Sequence, residues 1–177
     1  MATPPFITDL RTRIGHDLLW LPGVTALVFR QGESGPELLL VQRADDGSFT
    51  PITGIPDPGE QPDEAARREA REEACVDIEV TRLLRVQATD EVQYGNGDRC
   101  VYMDTAFVAR LVDPAQQPAV GDDESTVARF VPVDQLPPMK PRFEALIAQA
   151  LAGDSRPAGW GRDTAACPKP HQPGTMV

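Results

Sequence analysis

The chain predicts an α/β domain, and three observations carry that prediction. Short runs rich in Val, Leu and Ile, separated by Gly- and Pro-containing turns, lie on both sides of residue 60. Between them, residues 62–74 carry charges and alanines at helical spacing. A second helical period closes the pattern at 140–151. The 177 residues suffice for one domain with a sizeable core and short extensions.

The elements follow in order. Residues 6–19 place Phe6, Ile7, Leu10, Ile14 and Leu18 at near-helical spacing, with Asp9 early in the run, and Pro22-Gly23 ends the pattern. This helical extension, 1–19, has two outlets for its apolar side: its own domain, or a partner subunit in a homodimer. Strands are predicted at 24–30 and 37–43 around the polar turn QGESGP. The second is almost continuously apolar, as a strand buried on both faces is. Residues 44–53 form a loop and a short strand. Pro56, Pro58 and Gly59 exclude regular structure from 54–61. Pro62 suits the first helical position, and Asp63 and Glu64 follow where acids complement the helix dipole. The helix runs to about Ala74, and Ala66, Ala70 and Ala74, four apart, let it lie close against a sheet.

Residues 77–89 and 99–112 are strand-rich, and YGNGD at 94–98 marks the turn of a hairpin. A polar loop, 113–125, leads to a last strand near 129–133. In the closing helix, Phe143, Leu146, Ile147 and Ala150 share one side. From Gly153 the sequence is Pro/Gly-rich without periodicity, which predicts a disordered or loosely docked tail over 153–177. The main domain is therefore 20–152, and no internal repeat is present.

Composition narrows the function. With 41% hydrophobic and 25% charged residues the chain reads as a soluble globular protein. A net charge of −10 argues against nucleic-acid backbones and anionic membrane surfaces as partners. A polyphosphate substrate fits such a chain only if a cation accompanies it. Cys75, Cys100 and Cys167 are scattered and odd in number, so neither a disulfide framework nor a zinc site is indicated, and a cytoplasmic location follows. No apolar run reaches a membrane span, and the N-terminus lacks the basic start and apolar stretch of a signal peptide. The histidines, His16 and His171, lie near the ends, so carboxylates must do any proton work.

The segment 54–76, GIPDPGEQPDEAARREAREEACV, concentrates those carboxylates. Gly54, Glu60, Arg68, Glu69, Glu72 and Glu73 stand at the spacing G-x5-E-x7-R-E-x-x-E-E. On a helix Glu69, Glu72 and Glu73 are related as i, i+3 and i+4, and the three are expected on one face. Like charges so placed repel by about 0.2–0.5 kcal/mol per pair, which a divalent cation with oxygen ligands would reverse.

This spacing resembles the Nudix box, and the flanking strands and final helix extend the likeness over about 20–152. One residue departs from the pattern: Cys75 stands where the family usually has the Gly that ends the helix in a left-handed conformation. The resemblance implies a Nudix-type α/β/α sandwich with a mixed central sheet. It implies a Mg²⁺-dependent hydrolase, with Mn²⁺ as substitute, that cleaves the pyrophosphate bond of a nucleoside diphosphate linked to another moiety. It implies Glu69, Glu72 and Glu73 as metal ligands, Glu73 innermost, with a carbonyl of Thr53 or Gly54 completing the shell. Arg68 is expected to pair with a ligand carboxylate, and Glu60 to cap the helix N-terminus, with reaching the metal cluster as its alternative. Arg43 resembles the family's phosphate-contacting arginine. Glu124, in the loop before the last strand, matches a frequent general-base position, with Asp122 and Asp123 as substitutes; in other members a box glutamate takes the proton. The subgroup signatures do not fix the substrate: Glu91 stands where the ADP-ribose subgroup has proline, and Phe49, Tyr94, Tyr102 and Phe107 are unranked stacking candidates. Two alternatives stay open: a nucleoside triphosphate pyrophosphohydrolase, and a silent nucleotide-sensing module.

Overall fold

The structure is a computed structural model that describes residues 4–153 and the backbone of 159–160. In chain order the elements are α1 (Pro5–Ile14), β1 (Leu19–Gly32), β2 (Gly35–Arg43), β3 (Phe49–Thr50), β4 (Ile52–Gly54), α2 (Pro62–Ala74), β5 (Ile78–Ala88), β6 (Val92–Gln93), β7 (Arg99–Leu111), β8 (Ser125–Pro132), α3 (Pro141–Leu151) and β9 (Gly159–Trp160). One sheet runs β3-β2-β1-β7-β5-β9, with β4 added to β1, β6 to β7 and β8 to β2. The sheet is mixed: β1–β7 and β5–β9 are parallel, and the other pairs are antiparallel.

Strand alternation builds the sandwich. Val24, Ala26 and Val28 of β1 and Leu39 and Val41 of β2 pack with Ala65, Ala66, Ala70 and Ala74 of α2. Their neighbours Leu27, Leu38 and Leu40 point the other way and pack with Leu146 and Ile147 of α3. Both faces of β2 are thus covered, which is why its sequence is apolar without alternation. A third cluster joins Ile7 of α1 to Leu21, Cys100 and Tyr102, so α1 spends its buried side on its own domain.

Three boundaries differ from the sequence reading. β1 begins at Leu19 and runs through Pro22-Gly23. Over residues 19–23 it pairs with β7 alone, and a one-sided strand tolerates a residue without N–H. α1 ends earlier, at Ile14, followed by Gly15 with φ 58°. β8 starts at Ser125 because it pairs with β2 down to Arg43, across a register shift between Gln42 and Arg43. Of the tail expected to be disordered, Gly159 and Trp160 extend the sheet as a strand parallel to β5. Residues 154–158 and 161–177, with Cys167 and His171, lie outside the described residues. No described helix is long and apolar enough to cross a membrane.

Candidate metal centre

Helix α2 presents the carboxylates, and its ends are fixed by its own sequence. At the N-terminus Gln61 and Glu64 form a reciprocal capping box, the Gln61 N–H donating to Glu64 Oε2 at 3.1 Å. Glu60 therefore does not cap the helix as expected. It accepts from Arg68 through both oxygens, from Nε and Nη2, each at 2.9 Å. At the C-terminus Cys75 adopts φ 54°, ψ 34°, the one positive φ at a non-glycine among the described residues. Its N–H donates to the Arg71 carbonyl at 3.1 Å, and the Val76 N–H donates to Ala70 at 3.3 Å. The helix thus ends as a glycine would end it, with a side chain in the strained position.

The three box glutamates divide into a buried pair and a flanking third. Glu69 is wholly buried and Glu73 nearly so, whereas the Glu72 side chain is 50% exposed. The i, i+4 pair faces inward, and the i+3 residue turns to the flank. Gly54 makes room for this, since a Cβ there would come within 2.2 Å of the Glu69 carboxyl. Arg68 Nη1 donates to Glu69 Oε1 at 2.7 Å and to Glu72 Oε2 at 3.0 Å. A single guanidinium thereby ties Glu60, Glu69 and Glu72 together, and its remaining bond goes to the Ile55 carbonyl at 3.2 Å. These partners, Glu60 foremost, push the Arg68 pKa further up.

Burial acts on the two inner acids in the opposite sense. It pushes Glu69 up to about 7 despite the Arg68 charge beside it. It pushes Glu73 up to about 8, and the Glu69 charge adds to that rise. Glu73 Oε2 accepts one long bond, from the Thr53 N–H at 3.4 Å, and Glu69 Oε2 is buried with no hydrogen-bond partner. Among the described residues no group of three His, Cys, Asp or Glu forms a ready-made metal cage. Glu69 and Glu73 nevertheless fit a hard divalent cation: two buried carboxylates repel each other, and one oxygen lacks a donor.

The loop before β8 closes on the same helix end. The Ala119 N–H donates to the Ala74 carbonyl at 3.0 Å, and the Gly121 N–H to Glu73 at 3.3 Å, satisfying carbonyls that a helix end leaves orphaned. A Cβ on Gly121 would lie 2.1 Å from the Glu72 carbonyl oxygen. The loop brings Asp122 to Glu73, whose pKa its charge raises further. Asp122 Oδ1 accepts the N–H groups of Glu124 at 3.2 Å and Ser125 at 3.0 Å. Glu124 is half-buried, its carbonyl held by the Ala44 N–H at 2.7 Å, and Asp123 is exposed.

Arg43, at the end of β2, is engaged by a residue the sequence reading passed over. Asp45 accepts from Nε at 2.9 Å and Nη2 at 2.6 Å, a bidentate pair that raises the arginine pKa and lowers that of Asp45. Of the stacking candidates, Phe107 belongs to the core under α2 and is unavailable. The Tyr94 and Tyr102 hydroxyls share a 2.7 Å hydrogen bond, and Phe49 lies under Arg129 at 5.6 Å. Glu91 pairs with Arg99.

The NUDIX domain model matches residues 20–151. No curated protein matches the chain. Among solved structures, a UDP-X diphosphatase superposes with a TM-score of 0.60 at 20% identity, covering 89% of this chain and 74% of its own. An ADP-ribose pyrophosphatase from Streptococcus suis gives 0.57 at 22%, covering 80% and 97%. A C. elegans Ap4A hydrolase gives 0.59 at 17%, covering 75% and 96%. At these identities the likeness is one of fold.

Proposed function

The chain belongs to the Nudix family, and on that premise we propose that it is a Mg²⁺-dependent hydrolase of a nucleoside diphosphate linked to another moiety. The observation that carries this reading is the buried Glu69–Glu73 pair with its unpartnered oxygen, on the helix whose box spacing defines the resemblance. Glu69 and Glu73 would hold the ion, with Glu72 joining from the flank. When bound, Mg²⁺ neutralises charge on the diphosphate and lowers the pKa of water at the site. Arg68 fixes the Glu69 rotamer through Oε1 and leaves Oε2 for the ion. Glu124 takes the proton of the attacking water, and Asp122 orients Glu124 by accepting its N–H. Arg43 receives a phosphate oxygen in exchange for one arm of its pair with Asp45.

The names of the superposed structures, a UDP-X diphosphatase, an ADP-ribose pyrophosphatase and an Ap4A hydrolase, support a linked diphosphate over a free triphosphate. Free thiols at Cys75 and Cys100 support a reducing, cytoplasmic setting. The test is Glu73→Gln, which keeps shape and removes ligand charge. Turnover of linked nucleoside diphosphates is expected to need Mg²⁺ or Mn²⁺, to vanish with chelator, and to fall by about a hundredfold or more in the variant. A folded Glu73→Gln protein with wild-type turnover would overturn the assignment. Release of pyrophosphate from triphosphates alone would replace the substrate class.

A further inference from the structure

One apolar stretch of the sheet is left open by the described elements. On the side where Val24 and Phe107 pack under α2, alternation along β1, β7 and β5 also places Trp20, Val101, Met103, Ala88, Val86 and Leu83. Register joins them into one patch: Trp20 stands opposite Val101, Met103 opposite Ala88, and Leu83 opposite Phe107. Trp20 is 69% exposed, Leu83 41% and Met103 36%. The reverse side at the same level is closed by α1, whose Ile7 packs with Leu21, Cys100 and Tyr102. None of the six carries a charge, although the chain as a whole has a net charge of −10. An uncharged patch centred on an exposed tryptophan marks a contact surface.

Magnitudes choose the occupant. Three strands about 4.8 Å apart, over six residues about 3.3 Å apart, give a patch of about 300 Å². A stable pair of proteins buries about 800 Å² on each partner, so the patch is too small to hold a second copy. A single extended segment fits it, and the chain itself delivers one. β9 runs parallel to β5, with Gly159 opposite Arg85 and Trp160 opposite Val86, so the chain leaves β9 heading toward the Ala88 end of β5. From β9 to β1 is three strand spacings, about 14 Å, and the 17 residues of 161–177 can span about 55 Å. Tethering gives such a segment an effective concentration in the millimolar range, which populates a contact too small to hold a free partner. Residues 161–177 contain three charged side chains and three prolines, and proline lowers the entropy lost on ordering.

We propose that residues 161–177 dock on this face and take Trp20 out of water. Trp20 lies four residues, about 13 Å, along β1 from Val24, which pairs with Gly54 beside Glu69. The docked segment therefore covers the sheet at a distance from the carboxylates, and it acts on the stability and solubility of the domain.

The test uses the full chain. Trp20 and Trp160 are its two tryptophans, and Cys167 is the one cysteine in 161–177. Cys100 is buried and Cys75 exposed. In the Cys75→Gly, Trp160→Phe protein a nitroxide attached at Cys167 is therefore read by Trp20 alone. Trp20 emission is expected to fall to about half or less of its value with a diamagnetic label, and to stay there on about tenfold dilution. Met103→Glu, which sets a charge on the face, is expected to restore the emission, whereas Leu151→Glu, at an exposed apolar position on α3, should not. Should Met103→Glu not fold, Ala88→Glu, at an exposed position of the same face, is expected to restore it too. Equal emission with the two labels, or quenching that survives a folded face variant, overturns the inference. Quenching that fades on dilution would seat a second copy on the face and overturn it as well.

Discussion

At the scale of single residues, the molecule stores its tension in Glu69 and Glu73. Burial holds them at about 7 and about 8, against about 4.3 for a glutamate in an unfolded chain. Around neutral pH the folded state therefore keeps protons that the unfolded chain has released. The stabilisation is complete below the unfolded value and disappears as pH rises through the two folded values. In chelator the melting temperature is expected to fall between about pH 5.5 and pH 8.5, and Glu73→Gln should remove most of that slope. A flat or rising profile would show that the pair is not buried as described. Saturating Mg²⁺ should flatten the wild-type curve, since an ion bound only by the folded state favours the charged form. Cys75 carries a smaller strain. A side chain at φ 54° costs what glycine does not, so Cys75→Gly is expected to stabilise by about 1 kcal/mol and raise the melting point by about 2–4 °C. No rise would mean that the thiol regains by packing what its backbone loses.

At the scale of elements, α2 and the loop before β8 make one unit. The acid spacing and the alanine stripe of α2 were legible in the sequence because helical period is a local property. What the period could not say is how far the helix is rolled: Ala66, Ala70 and Ala74 seat it so that Glu69 and Glu73 turn in and Glu72 stays out. Nor could it show the Gln61–Glu64 cap, which displaced Glu60 toward Arg68, or the Arg43–Asp45 pair, which depends on the bend after β2. The face of Trp20, Met103 and Val86 joins three strands far apart in the chain and leaves no local trace. The loop's docking is a tertiary fact of the same kind, and it is testable at Gly121. Alanine there would press on a backbone oxygen, so Gly121→Ala is expected to cost about 1–3 kcal/mol, while Gly95→Ala, with open space around it, should leave the melting point unchanged. Equal effects at the two glycines would mean that the loop is not seated on α2. Within the loop, Glu124→Gln is expected to lower kcat about tenfold with little change in KM. Asp122→Asn should be milder because Asn Oδ1 still accepts the Glu124 N–H, and Asp123→Asn milder again. Comparable small effects at all three would return the proton to the box glutamates.

At the scale of the whole molecule, the sheet separates the site from the end of the chain. The carboxylates meet the sheet at β4, which pairs with β1, whereas β9 pairs with β5, beyond β7 on the far side. Residues 153–177 supply none of the side chains assigned above. Ending the chain at Ala152 is therefore expected to leave kcat within about twofold of the full chain, because every side chain assigned a role above is kept. The change should fall on stability and solubility. Removing Gly159–Trp160 strips the partner from Arg85 and Val86 and leaves the β5 edge open. The melting point should drop by a few degrees, and light scattering should show more self-association as concentration rises. A folded, monomeric truncated protein that had lost most of its turnover would place the tail over the active face, and the domain would then extend past 152.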